Sequence, residues 1–225
     1  LRFCWRLVLL FLIGNLNASF FTAEVLVLYS LVGFILPLIC RLRDKWLFIL
    51  ACVLLVQPLP LYYVIRAAFD PTFVTPALPT GNLWAATFEA QSHGTFLDTL
   101  SVNLWEGQLA SLAWAWDNGR VFQTAALFIF GYLVGRRGLF LKENLKFWNK
   151  VLCGSLVAFF PLYGLGNMLP DFVENPSVRT PLLLVVSSLY KFAFMLLLVS
   201  AVLNGYYRTR LKERLDYLIP YGRMS

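Results

Sequence analysis

Apolar residues recur along this chain in six runs, at 7–21, 25–40, 46–65, 121–134, 151–168 and 181–206, with polar and charged residues gathered between them. The runs lack the strict alternation of a half-buried strand and are apolar on all sides, so each predicts a helix buried in lipid or protein. Spanning the hydrocarbon core takes about 20 residues. Every run except the fourth is long enough to span with some tilt or snorkelling. The fourth covers about 21 Å at 1.5 Å per residue, and Arg120 and Arg136 at its two ends can extend their stems to opposite interfaces. The first two runs carry an interruption: the stretch "IGNLNASFFTAEVL", residues 13–26, places Asn15, Asn17 and Glu24 where a lipid-facing helix would avoid them.

This pattern predicts an all-α fold, a polytopic transmembrane helical bundle of about six spanning helices in a single domain, 1–225. The long segment at 66–120 begins with the helix-breaking stretch "DPTFVTPALPTGN" and then spaces Trp84, Trp105, Trp114 and Trp116 through residues of mixed polarity. Such a segment predicts short interfacial helices on the extracytoplasmic side. After the sixth run, "RTRLKERLDYLIPYGRMS" predicts a basic amphipathic helix on the inner surface, ended near Pro220. No internal repeat or low-complexity stretch stands out. Leu1 is not an initiator Met and no secretory signal opens the sequence, so the chain reads as an internal fragment of a longer protein.

Composition agrees with the pattern. The chain is 59% hydrophobic and 14% charged, with a mean hydropathy of +0.68, against roughly 25% charged in soluble domains. The net charge of +7 does not point to nucleic acid, because Lys and Arg fall in short clusters between apolar runs and not along one polar face. The clusters are Arg2 and Arg6; Arg41, Arg43 and Lys45; Arg136, Arg137, Lys142, Lys146 and Lys150; and Arg208, Arg210, Lys212 and Arg214. With six spans they alternate onto one side, which the positive-inside rule makes cytoplasmic, and both ends of the fragment fall there. Asp70, Glu89, Asp98, Glu106, Asp117, Asp171 and Glu174 fall on the other side. Cys4, Cys40, Cys52 and Cys153 lie near cytoplasmic helix ends, where thiols stay reduced, so no disulfide is expected. Their spacing is not that of a zinc site, and His93 is the only histidine; no metal and no cofactor is expected.

Candidate chemistry sits in the polar residues within the runs. Asn15 and Asn17 on the first helix and Glu24 opening the second should lie close together near the outer face. They serve either as interhelical hydrogen-bonding groups, with the carboxylate at a helix N-terminus, or as the lining of a hydrated cavity. Lys191 falls near the middle of the sixth run, where a charge costs about 2.5–3.5 kcal/mol, with Ser187 and Ser188 on the same face. It is a structural ion-pair member or part of a pathway. Arg120 stands at the outer mouth of the fourth run, with Gln123 and Thr124 one turn in. It can snorkel or hold an anionic headgroup or substrate. Gly131 and Gly135 make a G-x-x-x-G spacing, read as ordinary helix packing. Asn15, Asn17, Glu24, Arg120, Gln123 and Lys191 are the candidate polar pathway; no catalytic residue stands out.

Three blocks together resemble one family. "RLVLLFLIGNLNASFFTAEVLVLYSLVGFILPL", "GRVFQTAALFIFGYLVGRRGLF" and "PYGRMS" are similar, in order and spacing, to segments of the bacterial YeiB-like membrane proteins, the domain of unknown function 418. Where the family has a histidine this chain has Asn17, and where it has Gly-Asp this chain has Ala23-Glu24, so the carboxylate is kept and the imidazole is not. The resemblance implies a multi-pass protein of the bacterial cytoplasmic (inner) membrane whose members extend past both ends of this fragment. It also implies a distant likeness to transmembrane acyltransferases, which pass an acyl group across the bilayer. Partners are then the lipid bilayer and a lipid or small-molecule substrate, with no nucleic acid. Three functions remain open: acyl transfer to an envelope acceptor, transport of a small anionic or amphipathic solute, and a non-catalytic membrane scaffold.

Overall fold

The structure, a computed structural model, describes residues 2–70, 72–76, 78 and 80–208. The amphipathic helix expected at the C-terminus lies, from residue 209 on, outside the described residues. Every regular element among the described residues is helical. The described residues form two units that meet in the chain at Gly131 and Tyr132.

The first unit opens with α1 (Arg2–Phe20), 19 residues that are apolar enough to cross a membrane. A short turn leads into α2 (Leu26–Gly33) and α3 (Ile35–Ile39). α1 and α2 pack antiparallel: a Cβ at Gly14 would sit 3.1 Å from both the Val27 backbone nitrogen and its side chain, so the missing side chain lets the two backbones close up. α4 (Asp44–Leu55) and α5 (Pro58–Phe69) follow as a pair bent by 51°. The bend has a local cause. Gln57 adopts a left-handed conformation with φ 60, and Pro58 begins the next helix where its missing N–H costs nothing.

Four helical pieces occupy the segment expected at the outer interface: α6 (Thr80–His93), α7 (Phe96–Val102), a π-helical turn at Asn103–Gly107, and α8 (Gln108–Asp117). Thr80 donates its hydroxyl to the Asp117 carboxylate at 2.7 Å, tying the two ends of this cap together. The core of the unit is small. Leu28 and Val32 of α2 meet Ala115 of α8 and Ala125 of α9 (Arg120–Arg136), with Leu54, Leu112, Val121 and Phe128 packed around them. Tyr29 and Phe128 add a tilted ring contact at 5.9 Å, and Phe48 and Phe130 an edge-on one at the same separation.

The second unit is a long helical hairpin. α10 (Leu145–Phe172) and α11 (Pro176–Arg208) run antiparallel, joined through ring contacts between Phe159 and Phe194 at 5.3 Å and Tyr163 and Tyr190 at 5.6 Å. Such pairs contribute about 0.5–1.5 kcal/mol each beyond the area they bury. In α10 only Trp148, Ser155 and Leu169 are buried, and large apolar side chains such as Val157, Phe160 and Leu165 are exposed.

Among the described residues three helical stretches are long and apolar enough to cross a membrane: Arg2–Phe20, Lys142–Phe172 and Pro176–Arg208. The bent pair α4–α5 makes a fourth when taken as one span. They contain the runs at 151–168, 181–206 and, for the bent pair, 46–65, and all of the run at 7–21 but its last residue. The run at 25–40 forms the shorter apolar helix Leu26–Ile39. The run at 121–134 lies in α9, whose 17 residues cover about 25 Å, with Arg120 and Arg136 as its first and last residues.

Candidate functional site

The sharp turn between α1 and α2 gathers polar groups because both helices end there with backbone groups to satisfy. Glu24, only 9% exposed, takes the N–H of Leu26 on its Oε1 at 2.7 Å. Its Oε2 takes the side-chain amide of Asn17. The carboxylate therefore lies at the N-terminal end of α2 with a donor on each oxygen. Its backbone carbonyl accepts from the Ser111 hydroxyl at 3.3 Å.

The cap reaches the same turn from the π-helical turn and α8. Gln108 donates its side-chain amide to Asn15 Oδ1 at 2.9 Å, while Asn15 donates to the Phe11 carbonyl at 2.7 Å. Asn103, 1% exposed, donates to the Ser19 carbonyl at 3.0 Å and accepts from Gln91 at 3.3 Å. Asn103 and Gln108 are five residues apart, which in a regular α-helix would turn them about 140° away from each other. The π turn at 103–107 removes that offset: Gln108 N–H bonds to the Asn103 carbonyl, and both side chains reach α1. Such single π turns recur at functional sites.

A small cleft opens among Thr22, Glu24, Val27, Gln108, Ser111 and Leu112, with space for about one water molecule. It combines a carboxylate, two hydroxyls and an amide against two apolar side chains, so it can bind a polar group and exchange a proton at Glu24. Among the described residues no three of His, Cys, Asp and Glu come together to hold a metal.

Of the residues singled out by sequence, Asn15, Asn17 and Glu24 meet in this network. Arg120 and Gln123 lie at the start of α9 instead. The Arg120 guanidinium rests over the Trp114 ring at 5.8 Å. Gln123 is buried and bonds through its backbone N–H to Gly119. Lys191 lies in the second unit, exposed on α11, with its ammonium 5.9 Å from the Tyr190 ring; Ser187 bonds back to the Leu184 carbonyl.

Sequence reasoning did not single out Ser19, Thr22, Asn103, Gln108 or Ser111; the bonds that link Asn103 to Ser19, Gln108 to Asn15 and Ser111 to Glu24 join residues far apart along the chain. It also passed over Gln57, although a lone amide in the apolar stretch "VLLVQPLPLYYV" is a visible signal. Gln57 is 2% exposed and donates to the Gly119 carbonyl at 2.9 Å, fastening the break between α4 and α5 to the turn before α9.

Comparison with curated proteins and with solved structures gives no match. Residues 134–225 match the model of the family described as a protein of unknown function (DUF418), the family that the YeiB-like resemblance of the sequence also points to.

Proposed function

We propose that the chain is the membrane-embedded part of a bacterial inner-membrane protein that transfers an acyl group onto an envelope acceptor, with the Glu24 cleft holding the acceptor's polar end. In this reading six segments span, both ends of the fragment face the cytoplasm, and the α1–α2 turn faces outward beneath the cap of α6–α8. The observation that carries it is a buried carboxylate, already desolvated and fixed by two donors, opening into a polar cleft at the end of a spanning helix. An ionisable group buried within a membrane-spanning region is a functional-site hypothesis by default.

The chemistry follows from the groups present. An acceptor hydroxyl needs a base as its oxygen attacks the acyl carbonyl, and the carbonyl oxygen needs donors as it gains charge. Glu24 supplies the base. Asn17 and Gln108 each keep a second amide N–H beyond the one already used, which suits them to that oxygen. The proton taken by Glu24 leaves with the departing group.

The test is to compare envelope lipids and glycans by mass spectrometry in cells carrying the full-length protein, cells lacking it, and cells carrying Glu24→Gln. That substitution keeps the shape and removes the base. An acylated species should be absent from the deletion and reduced about 100-fold or more in the variant, within the usual range for losing a general base. Full acylation by Glu24→Gln would exclude this role.

A carrier of a small anionic or amphipathic solute is the second reading, and the break at Gln57 favours it. Discontinuous helices with a left-handed residue and proline at the break are a recurrent feature of transporters. Unchanged envelope species with altered solute uptake would select it.

A further inference from the structure

The second unit contains a cationic surface that neither the Glu24 cleft nor the spanning helices explain. α9 ends at Arg136, and the chain reverses through Gly138, whose φ of +59 gives the turn its left-handed residue. The turn is built firmly. Trp148, 3% exposed, donates its indole N–H to the Leu139 carbonyl at 2.7 Å; Asn144 donates to the Gly138 carbonyl at 3.0 Å; and Phe140 stacks on Trp148 at 5.9 Å. The far end of α11 is brought to the same place, since the Tyr207 hydroxyl donates to the Phe140 carbonyl at 2.9 Å.

Around this plug Arg136, Arg137, Lys142, Lys146, Lys150 and Arg208 are all exposed, and Glu143 is the one carboxylate among the described residues of the turn, 136–150. Between the cations stand apolar side chains that are also open: Phe140 at 48%, Leu141 at 58% and Phe147 at 45% exposed. Cations alone would suit any polyanion. Cations ringing an exposed apolar tip, at the mouth of two lipid-spanning helices, match a headgroup that carries negative charge on top of acyl chains.

We propose that this turn and the adjoining end of α11 form a docking surface for an anionic phospholipid, the phosphodiester held among the Lys and Arg side chains and the upper acyl chain against Phe140, Leu141 and Phe147. The surface holds its shape without the lipid, because the hydrogen bonds that fix it are internal. Its selectivity comes from charge and so weakens as salt screens it.

The test reconstitutes the full chain in nanodiscs of equal parts phosphatidylcholine and phosphatidylglycerol and counts the lipids that stay bound by native mass spectrometry. The wild-type chain should retain phosphatidylglycerol about tenfold over phosphatidylcholine at low salt, with the preference falling as salt rises. Replacing three exposed cations, Lys142→Gln with Lys146→Gln and Lys150→Gln, should cut that preference about tenfold, with helix content by circular dichroism unchanged. Equal retention of the two lipids, or a triple variant with undiminished preference, would overturn the proposal. Displacement of phosphatidylglycerol by millimolar inorganic phosphate would also overturn it, because the surface would then be a phosphate site that does not need the acyl chains.

Discussion

Gly119 and Gln57 show how much of the first unit rests on single residues. Gly119 has φ +64, and a Cβ there would collide with the side chain of Gln57. Gln57 is itself left-handed, an unfavourable state for a residue with a Cβ, held by its buried bond to the Gly119 carbonyl. Gly119→Ala should therefore lower the unfolding free energy in detergent by about 1–3 kcal/mol, combining backbone strain with displacement of that bond; denaturation monitored by circular dichroism measures it. A change within about 0.5 kcal/mol would mean that the break between α4 and α5 is held by something else. Residue-level reading of the sequence was uneven for the same reason. Asn15, Asn17 and Glu24 could be grouped because a short turn forces them together. Gln108, Asn103 and Ser111 could not, since their partners are 84–93 positions away and nothing local reports such a contact.

At the scale of elements, apolar length was the readable quantity and interruption the unreadable one. The runs at 151–168 and 181–206 lie within α10 and α11, and the run at 7–21 lies in α1 up to Phe20, each helix long enough to cross. The run at 46–65 reads as one helix because it is apolar almost throughout, yet Gln57-Pro58 splits it, and no hydropathy sum registers a backbone in the left-handed region. Helix formation across 66–120 could be anticipated from its mixed polarity. The π turn within it could not, because its sequence, "NLWEG", carries no distinguishing mark.

The start of α7 is a capping box: Thr95 and Asp98 exchange backbone N–H and side-chain bonds at 2.9 and 3.3 Å. The Thr95 hydroxyl, and then its backbone N–H, hold the Asp98 carboxyl below its ordinary range. A depressed carboxyl stabilises the helix start above its unfolded value, about 3.9, and the gain disappears as pH falls through the lower folded value. Thr95→Ala should reduce amide protection over 95–99 about fivefold at neutral pH, the size of an average cap. In the wild-type chain the cap should be lost only below about pH 4. Equal protection in the variant would show that tertiary packing alone fixes α7.

On the scale of the whole molecule, an apolar chain with basic clusters carries, among the described residues, helices long and apolar enough to cross a membrane. The function proposed for it depends on sidedness: water must reach the Glu24 turn from outside, while the basic turn after α9 stays within the cell. Ala23, exposed beside Glu24, and Lys142, exposed in the basic turn, allow both halves to be read in one experiment. Cysteine is introduced singly at either position in a chain whose Cys4, Cys40, Cys52 and Cys153 have been replaced, and intact cells are treated with a small membrane-impermeant thiol reagent. Ala23→Cys should react at once and Lys142→Cys only after the membrane is permeabilised. Reaction of Lys142→Cys in intact cells, or silence of Ala23→Cys until permeabilisation, would contradict the account.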